Sequence, residues 1–325
     1  MTVLIEHYRC QKEKNIYLRS KMNTFVYRGG GRDTVPHDAT HVIMHESVKA
    51  IPAMTFYEHP NIIEVYCHVG VKKIESDAFY RCPRLKRVVM PGVVEVEWSA
   101  FYECAAIEYV ECGNLERIGE YAFRECTSLS SINLPSAKVV DIFAFVRDYD
   151  TLPDFDAMTE VNFGADLEWI RERAFVDCKS LERVVIPLKN GMMTHDNVFQ
   201  GCTNLKRIDL VEAEVLDETI AALQLEEWRN EMTAEVGSIN QTLPNTDAGY
   251  YDERLNDDAG EKAIVIRDWI SRVLSKIIRY KAQHRRLLKE AVETLKHFAP
   301  NDIVVDNVMP FLELPTHTFD GEDNS

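Results

Sequence analysis

The chain has 325 residues, with 53 Asp and Glu against 37 Lys and Arg, for a formal net charge of −16. That balance excludes a nucleic-acid binder, because counterion release needs a basic face. The length exceeds what one compact core ordinarily serves, a limit that a linearly growing repeat array escapes.

Residues 1–48 come first. The opening 25 residues, with Glu6, His7, Arg9, Lys12, Glu13 and Lys14, hold no apolar stretch of the signal-peptide kind, and no later run approaches a membrane span. A cytoplasmic, reducing location is the expectation. Arg28-Gly29-Gly30-Gly31-Arg32 reads as a turn. A phosphate-binding glycine loop would need a helix to follow, and Asp33-Thr34-Val35-Pro36 breaks the chain there. Thr24 to Val48 is expected to form a hairpin-like cap. His41 and His45 have the spacing of a helical zinc pair but lack the acid of an H-E-x-x-H frame, so a strand with both on one face and no metal is the reading.

From 49 to 212 the chain repeats itself. Phe56, Phe79, Phe101, Phe123, Phe145, Phe175 and Phe199 recur at intervals of 23, 22, 22, 22, 30 and 24 residues. Around Phe79 the unit is Ile74-x3-Ala78-Phe79-x2-Cys82-x2-Leu85-x2-Val88-x-Met90-Pro91, and the frame fits again around Phe101, Phe123 and Phe175. The first unit has His59 in the cysteine column, and the last replaces Ala by Val198. The fifth runs into Arg147-Asp148-Tyr149-Asp150 and regains register only at Met158, Val161 and Phe163. Alternation in the L-x-x-L-x-L stretch predicts a short strand with one face inward. The A-F-x-x-C-x-x-L spacing suits a 3₁₀ or helical turn that plugs its apolar residues into a core completed by neighbouring repeats. The period defines an α/β leucine-rich-repeat solenoid of about seven repeats, followed by a C-terminal helical region. Cys82, Cys104, Cys126, Cys178 and Cys202 share one column and Cys67 and Cys112 another, which makes them buried free thiols rather than disulfides or zinc ligands.

The pattern resembles the BspA-like class of leucine-rich repeats over about residues 36–212. Pro91, Pro135 and Pro187 and the run Ile118-Gly119-Glu120-Tyr121-Ala122-Phe123 carry the likeness. The run Asn307-Val308-Met309-Pro310-Phe311-Leu312-Glu313-Leu314-Pro315 is similar to one in uncharacterised microalgal leucine-rich-repeat proteins. The first resemblance implies the solenoid fold and, as one role, a structural or adhesive surface protein; the second implies no known activity.

Beyond the array, 213–236 reads as a capping helix with Asp217 as N-cap, and 237–260 as a flexible loop rich in Asn, Asp and Gly. Residues 261–299 form a long basic amphipathic helix, with Ile266, Ile270, Val273, Ile277, His284, Leu288, Ala291, Leu295 and Phe298 on one stripe. Arg267 to Lys296 carries nine Lys and Arg against three Asp and Glu, a net of +6 that leaves −22 for the remainder. Docking on the repeat cap is the simpler fate of the stripe; a homodimer through the 261–298 helix is the alternative. Residues 300–325 form an acidic tail.

No catalytic motif stands out: there is no G-x-S-x-G, Walker loop or kinase signature. No catalytic residue, cofactor or metal ligand is therefore assigned. The third and fifth positions of each L-x-x-L-x-L stretch point onto the sheet face, where solenoids commonly bind. They read Glu64, Arg87, Tyr109, Ser131, Glu160, Arg183 and Arg207 in one column, and Tyr66, Val89, Glu111, Asn133, Asn162, Val185 and Asp209 in the other. Tyr and Arg dominate interface hot spots, so Tyr66, Arg87, Tyr109, Glu111, Asn133, Arg183 and Arg207 are the candidate partner-binding residues. The expected function is a non-enzymatic protein-interaction scaffold with a protein partner. An enzyme with its site in the 146–157 insertion, beside Asp148 and Asp154, is a third reading.

Overall fold

Seven apolar columns per repeat can all be buried only if each repeat forms one coil whose residues stack on the same residues of the next. A computed structural model describes residues 23–147, 156–193, 195–223, 225–246 and 261–296. The chain enters through β1 (Thr24–Tyr27) and β2 (His41–Met44), then alternates two-residue strands with longer ones. These are β3 (Ala50–Ile51), β4 (Glu64–Tyr66), β5 (Lys73–Ile74), β6 (Arg87–Val89), β7 (Glu95–Val96), β8 (Tyr109–Glu111) and β9 (Arg117–Ile118). There follow β10 (Ser131–Leu134), β11 (Val139–Val140), β12 (Glu160–Phe163), β13 (Trp169–Ile170), β14 (Arg183–Ile186) and β15 (Arg207–Leu210). The longer strands make a wide parallel sheet in two parts, β1-β2-β4-β6-β8 and β10-β12-β14-β15; the short ones make a narrow sheet, β3-β5-β7-β9-β11-β13.

The third side of each coil carries the phenylalanines. From Phe56 to Phe199 successive rings lie 4.8, 5.1, 5.2, 5.4, 5.1 and 5.6 Å apart, near parallel and fully buried. Tyr27 closes the near end, its ring edge-on to Phe56 at 5.4 Å. The Ala-Phe segments wind as consecutive turns and become a 3₁₀ helix at Asp196–Phe199. Phenylalanine N–H groups donate to the next repeat, as Phe79 does to Ala100 O and Phe123 to Ala144 O, both at 2.8 Å. The thiols point the other way. Cys82, Cys104, Cys126, Cys178 and Cys202 donate to the carbonyls of Phe56, Phe79, Phe101, Phe145 and Phe175 at 2.9–3.3 Å. Burial pushes Cys67, Cys112 and Cys126 up to about 12, so these thiols stay protonated and unreactive. Cys10 lies outside the described residues.

The fifth repeat lacks a cysteine, and Arg147 stands in for it. Its guanidinium, in a residue only 3% exposed, donates to Phe123 O, the carbonyl that a cysteine would take, and to Phe145 O and Cys126 O, at 3.3, 3.3 and 2.9 Å. The buried Asp156 carboxylate balances the charge at 3.4 Å and also accepts from Ser180 N–H at 2.9 Å. An insertion thus begins and ends on one buried ion pair.

Two expected features differ. β1 and β2 are parallel, Thr24 beside His41 and Tyr27 beside Met44, and not a hairpin. Residues 28–40 carry the chain round an abbreviated coil, with Gly29 and Gly30 at φ of +108° and +115°, so β2 enters in the direction the array imposes. The 213–236 helix is two helices, α1 (Ala213–Ala221) and α2 (Glu226–Thr242), with Asp217 inside the first rather than capping it. The reason is phase. Leu216, Ile220 and Leu223 form one buried stripe and Met232 and Ile239 another. Leu223 and Met232 are about two and a half turns apart, on opposite sides of any single helix. α2 runs on past 236 into the expected loop and closes in a 3₁₀ turn at Leu243–Asn245; residues 247–260 lie outside the described ones.

α3 (Glu261–Lys296) docks on its own chain, against α2 and the Asp196–Phe199 turn. Ala263, Ile266, Trp269, Ile270, Val273, Leu274, Ile277 and Tyr280 are buried. Lys262 Nζ donates to Leu205 O at 2.7 Å, Trp269 Nε1 donates to Glu235 O at 2.9 Å, and the Tyr280 ring stacks on Trp228 at 5.1 Å. Glu235 meets Arg272 and Lys276 at 2.9 Å each, and Glu231 meets Lys276 at 2.9 Å, which is where the basic helix spends part of its charge. Asn240 Oδ1 accepts the Ile208 N–H at 2.8 Å, so α2 also covers the last strand.

Truncating Phe123 removes a ring stacked on both sides. Phe123→Ala is expected to cost about 3–5 kcal/mol, read as a shift in a denaturant or thermal unfolding curve. Neutralising half of the Arg147 pair strands the other charge: Asp156→Asn should cost about 3–5 kcal/mol, and Arg147→Met with Asp156→Leu much less, in the same assay.

Candidate protein-binding face

The two sheet-face columns are real rows in space. Glu64, Arg87 and Tyr109 are register partners, as are Tyr66, Val89 and Glu111. Beyond β8, Ser131, Glu160, Arg183 and Arg207 align, and so do Asn133, Asn162, Val185 and Asp209. β2 extends both rows with His41 and Ile43.

Two groups result. Toward the N-terminal end, the Arg87 guanidinium lies 4.2 Å over the Tyr109 ring, which is 43% exposed. The Tyr66 hydroxyl donates to Glu64, and burial followed by that carboxylate pushes the phenol up to about 12. Val89 is 5% exposed, so the middle of the second row is closed. Toward the C-terminal end, Arg183 bridges Glu160 at 2.7 Å and Asp209 at 2.5 Å, and Arg207 shares Asp209 at 2.9 Å. Those arginines hold Asp209 below the usual carboxylate range, against the opposing effect of its burial.

Between the groups the wide sheet is interrupted. β8 and β10 share no ladder, although the rings beneath them, Phe101 and Phe123, stack at 5.2 Å and the narrow sheet runs unbroken below. The Cys112 thiol reaches across to Asn133 O at 3.5 Å, and just past the strand ends Ser136 Oγ donates to Gly113 O at 2.8 Å. Tyr109 and Glu111 form one lip of the gap and Ser131 and Asn133 the other. Of the seven candidate residues, Tyr66, Arg87, Tyr109, Glu111 and Asn133 therefore cluster around or beside the gap, while Arg183 and Arg207 belong to a separate ion-paired group.

The other two sides are ordered differently. On the narrow sheet Lys73 meets Glu95 and Glu97 at 3.1 and 2.6 Å, Arg117 meets Glu95 and Asp141 at 3.8 and 3.5 Å, and Arg171 meets Asp141 at 3.6 Å. Outside the phenylalanine stack runs a second aromatic row that the sequence reading missed. Tyr57, Tyr80 and Tyr102 stack at 4.9 and 4.8 Å, Arg124 bridges Tyr102 and Tyr121, and Tyr121 stacks on Phe143 at 5.1 Å. Its signal was present: a tyrosine follows the column phenylalanine in the first three repeats.

His41 lies on the wide face and His45 bonds Ser47 beyond the strand end, so the two do not form a site. Among the described residues no cluster of His, Cys, Asp and Glu could hold a metal, and no helix is long and apolar enough to cross a membrane. Asp148 and Asp154 lie outside the described residues.

A succession of parallel strands, turns and stacked core columns defines a leucine-rich-repeat solenoid with a helical cap. The BspA type leucine rich repeat region is matched in six copies over residues 38–148 and 153–224, and the chain belongs to that family. No curated protein matches it. Among solved structures it is similar to the T. pallidum leucine rich repeat protein, with 22% identity over 57% of this chain and 74% of that one and a TM-score of 0.37. It is also similar to the pneumococcal vaccine antigen PcpA, with 13% identity, 55% and 42% coverage and a TM-score of 0.41. A leucine rich cell surface protein from Faecalibacterium prausnitzii shares 15% identity, with 58% and 83% coverage and a TM-score of 0.23.

Proposed function

We propose that the protein is a non-enzymatic interaction scaffold that binds a protein partner through its wide sheet face, centred on the Arg87–Tyr109 pair. One observation carries this reading: an exposed tyrosine backed by an arginine at 4.2 Å stands at the lip of the only break in the wide sheet among the described residues. Aromatic and arginine side chains held in place by neighbours bind at low entropic cost. Tyr66 and Glu111 lie beside the pair, Asn133 across the gap, and Arg183 and Arg207 supply a charged rim. The part of the α3 stripe from Ile266 to His284 is already buried within the same chain, which favours a partner on the sheet over self-association through that segment.

Tagged full-length protein, used as bait in extract of the native cell, should retain a partner that Tyr109→Ala with Arg183→Ala releases, while the melting temperature stays within a few degrees. Retention of the same partner by the double variant would place binding elsewhere on the molecule.

A further inference from the structure

Histidine is concentrated at one end of this array. Five of the ten histidines fall between residues 37 and 68, and none between 69 and 194. Three of the five make bonds that fix their tautomer. His59 Nε2 lies 3.0 Å from Pro36 O and His68 Nε2 3.0 Å from His45 O. A carbonyl only accepts, so both nitrogens carry the hydrogen. The opposite nitrogens accept instead: His59 Nδ1 from Asn61 N–H at 3.4 Å, His68 Nδ1 from Gly70 N–H at 3.0 Å, and His45 Nδ1 from Ser47 N–H at 3.2 Å. Gly70 is part of the fit, because a Cβ there would meet His68 Cε1 at 2.6 Å.

Each of His59 and His68 reaches back 23 residues, onto the segment that closes the near end of the solenoid. We infer that this end is an acid-released latch: the neutral imidazole of His59, beside the His68 bond, fastens residues 36–45 to the repeats, and a second proton on the His59 ring undoes the fastening. The proton would go on Nδ1, setting an N–H donor against the N–H of Asn61. The charged neighbours mostly resist it. The His37 ring lies 6.1 Å from His59 with Arg32 nearby. Glu64 Oε2 lies 4.0 Å from His41 Nε2 on the neighbouring strand.

Burial, foremost, holds His59 below its ordinary value of 6.5 in the folded chain. The latch therefore contributes fully above 6.5, where both folded and unfolded imidazoles are neutral. It weakens as pH falls below that value and is lost once the folded ring also protonates. The thiol and phenylalanine columns farther along contain no histidine, so acid should loosen β1 and β2 and leave the later repeats stacked.

Amide exchange of the full chain at pH 7.5 and 5.0, corrected for intrinsic chemistry, tests this. Protection of 41–48 is expected to fall by roughly tenfold for each pKa unit by which the His59 ring is depressed, with 96–140 unchanged. His59→Gln with His68→Gln, which keeps a donor without a titrating group, should abolish the difference. Equal loss across all repeats, no loss at 41–48, or the same loss in the double variant would overturn the latch. Should the double variant not fold, side-chain ¹⁵N shifts of the unaltered protein decide. In His59, an Nε2–H tautomer at pH 7.5 with a midpoint below 6.5 supports the latch, and an Nδ1–H tautomer or an unshifted midpoint rules it out.

Discussion

Ring stacking at about 5 Å is the constraint on which the rest depends. Adjacent strands in a sheet lie about 4.7–4.9 Å apart, and the phenylalanine centroids are spaced at 4.8–5.6 Å. The two spacings agree, so a flat ring can be stacked once per repeat without straining either sheet. With that advance set, every residue type placed at a fixed offset becomes a row. The thiols become a row of donors to the preceding phenylalanine carbonyl, the tyrosines an outer stack, and the narrow-sheet charges a chain of alternating sign. Exposed ion pairs contribute little singly; here their value is that each charge has a neighbour one repeat away.

Departures from the period show what the rows are for. Where the fifth cysteine is missing, Phe123 O would keep only the Cys126 N–H at 3.3 Å, and an under-satisfied buried carbonyl is costly. Arg147 supplies three donors at once, and Asp156 cancels the charge that this brings in. Between β8 and β10 the departure is outward instead. The core column continues while the sheet parts, which confines the irregularity to the surface.

The repeat, its core columns and the sheet-face rows were legible in the sequence because each follows from one offset within one period. Side-chain roles that depend on a neighbouring repeat's backbone were not. Arg147 looked like the point where the pattern failed, since nothing in Arg147-Asp148-Tyr149 tells that the carbonyl it must reach belongs to Phe123. The parallel entry of β1 was hidden for a similar reason: Arg28 to Arg32 is good turn chemistry, and turn chemistry is blind to which way the array makes the next strand run. The break between α1 and α2, by contrast, could have been found from the half-turn mismatch between Leu223 and Met232.

The three sides of the coil differ in how much of their side-chain chemistry is already used. On the narrow sheet the charges neutralise one another. On the turn side the tyrosines spend their faces on each other and on Arg81 and Arg124. On the wide face, Arg183, Arg207, Glu160 and Asp209 are likewise engaged, but the residues at the gap are not: among the described residues the Ser131 and Asn133 side chains make no hydrogen bond, and Tyr109 meets Glu111 only at 3.5 Å. A partner gains most where groups are held in place yet unspent. That condition is met at the interruption of the wide sheet, and the reason traces back to the stack beneath it, which keeps both lips fixed although no ladder joins them.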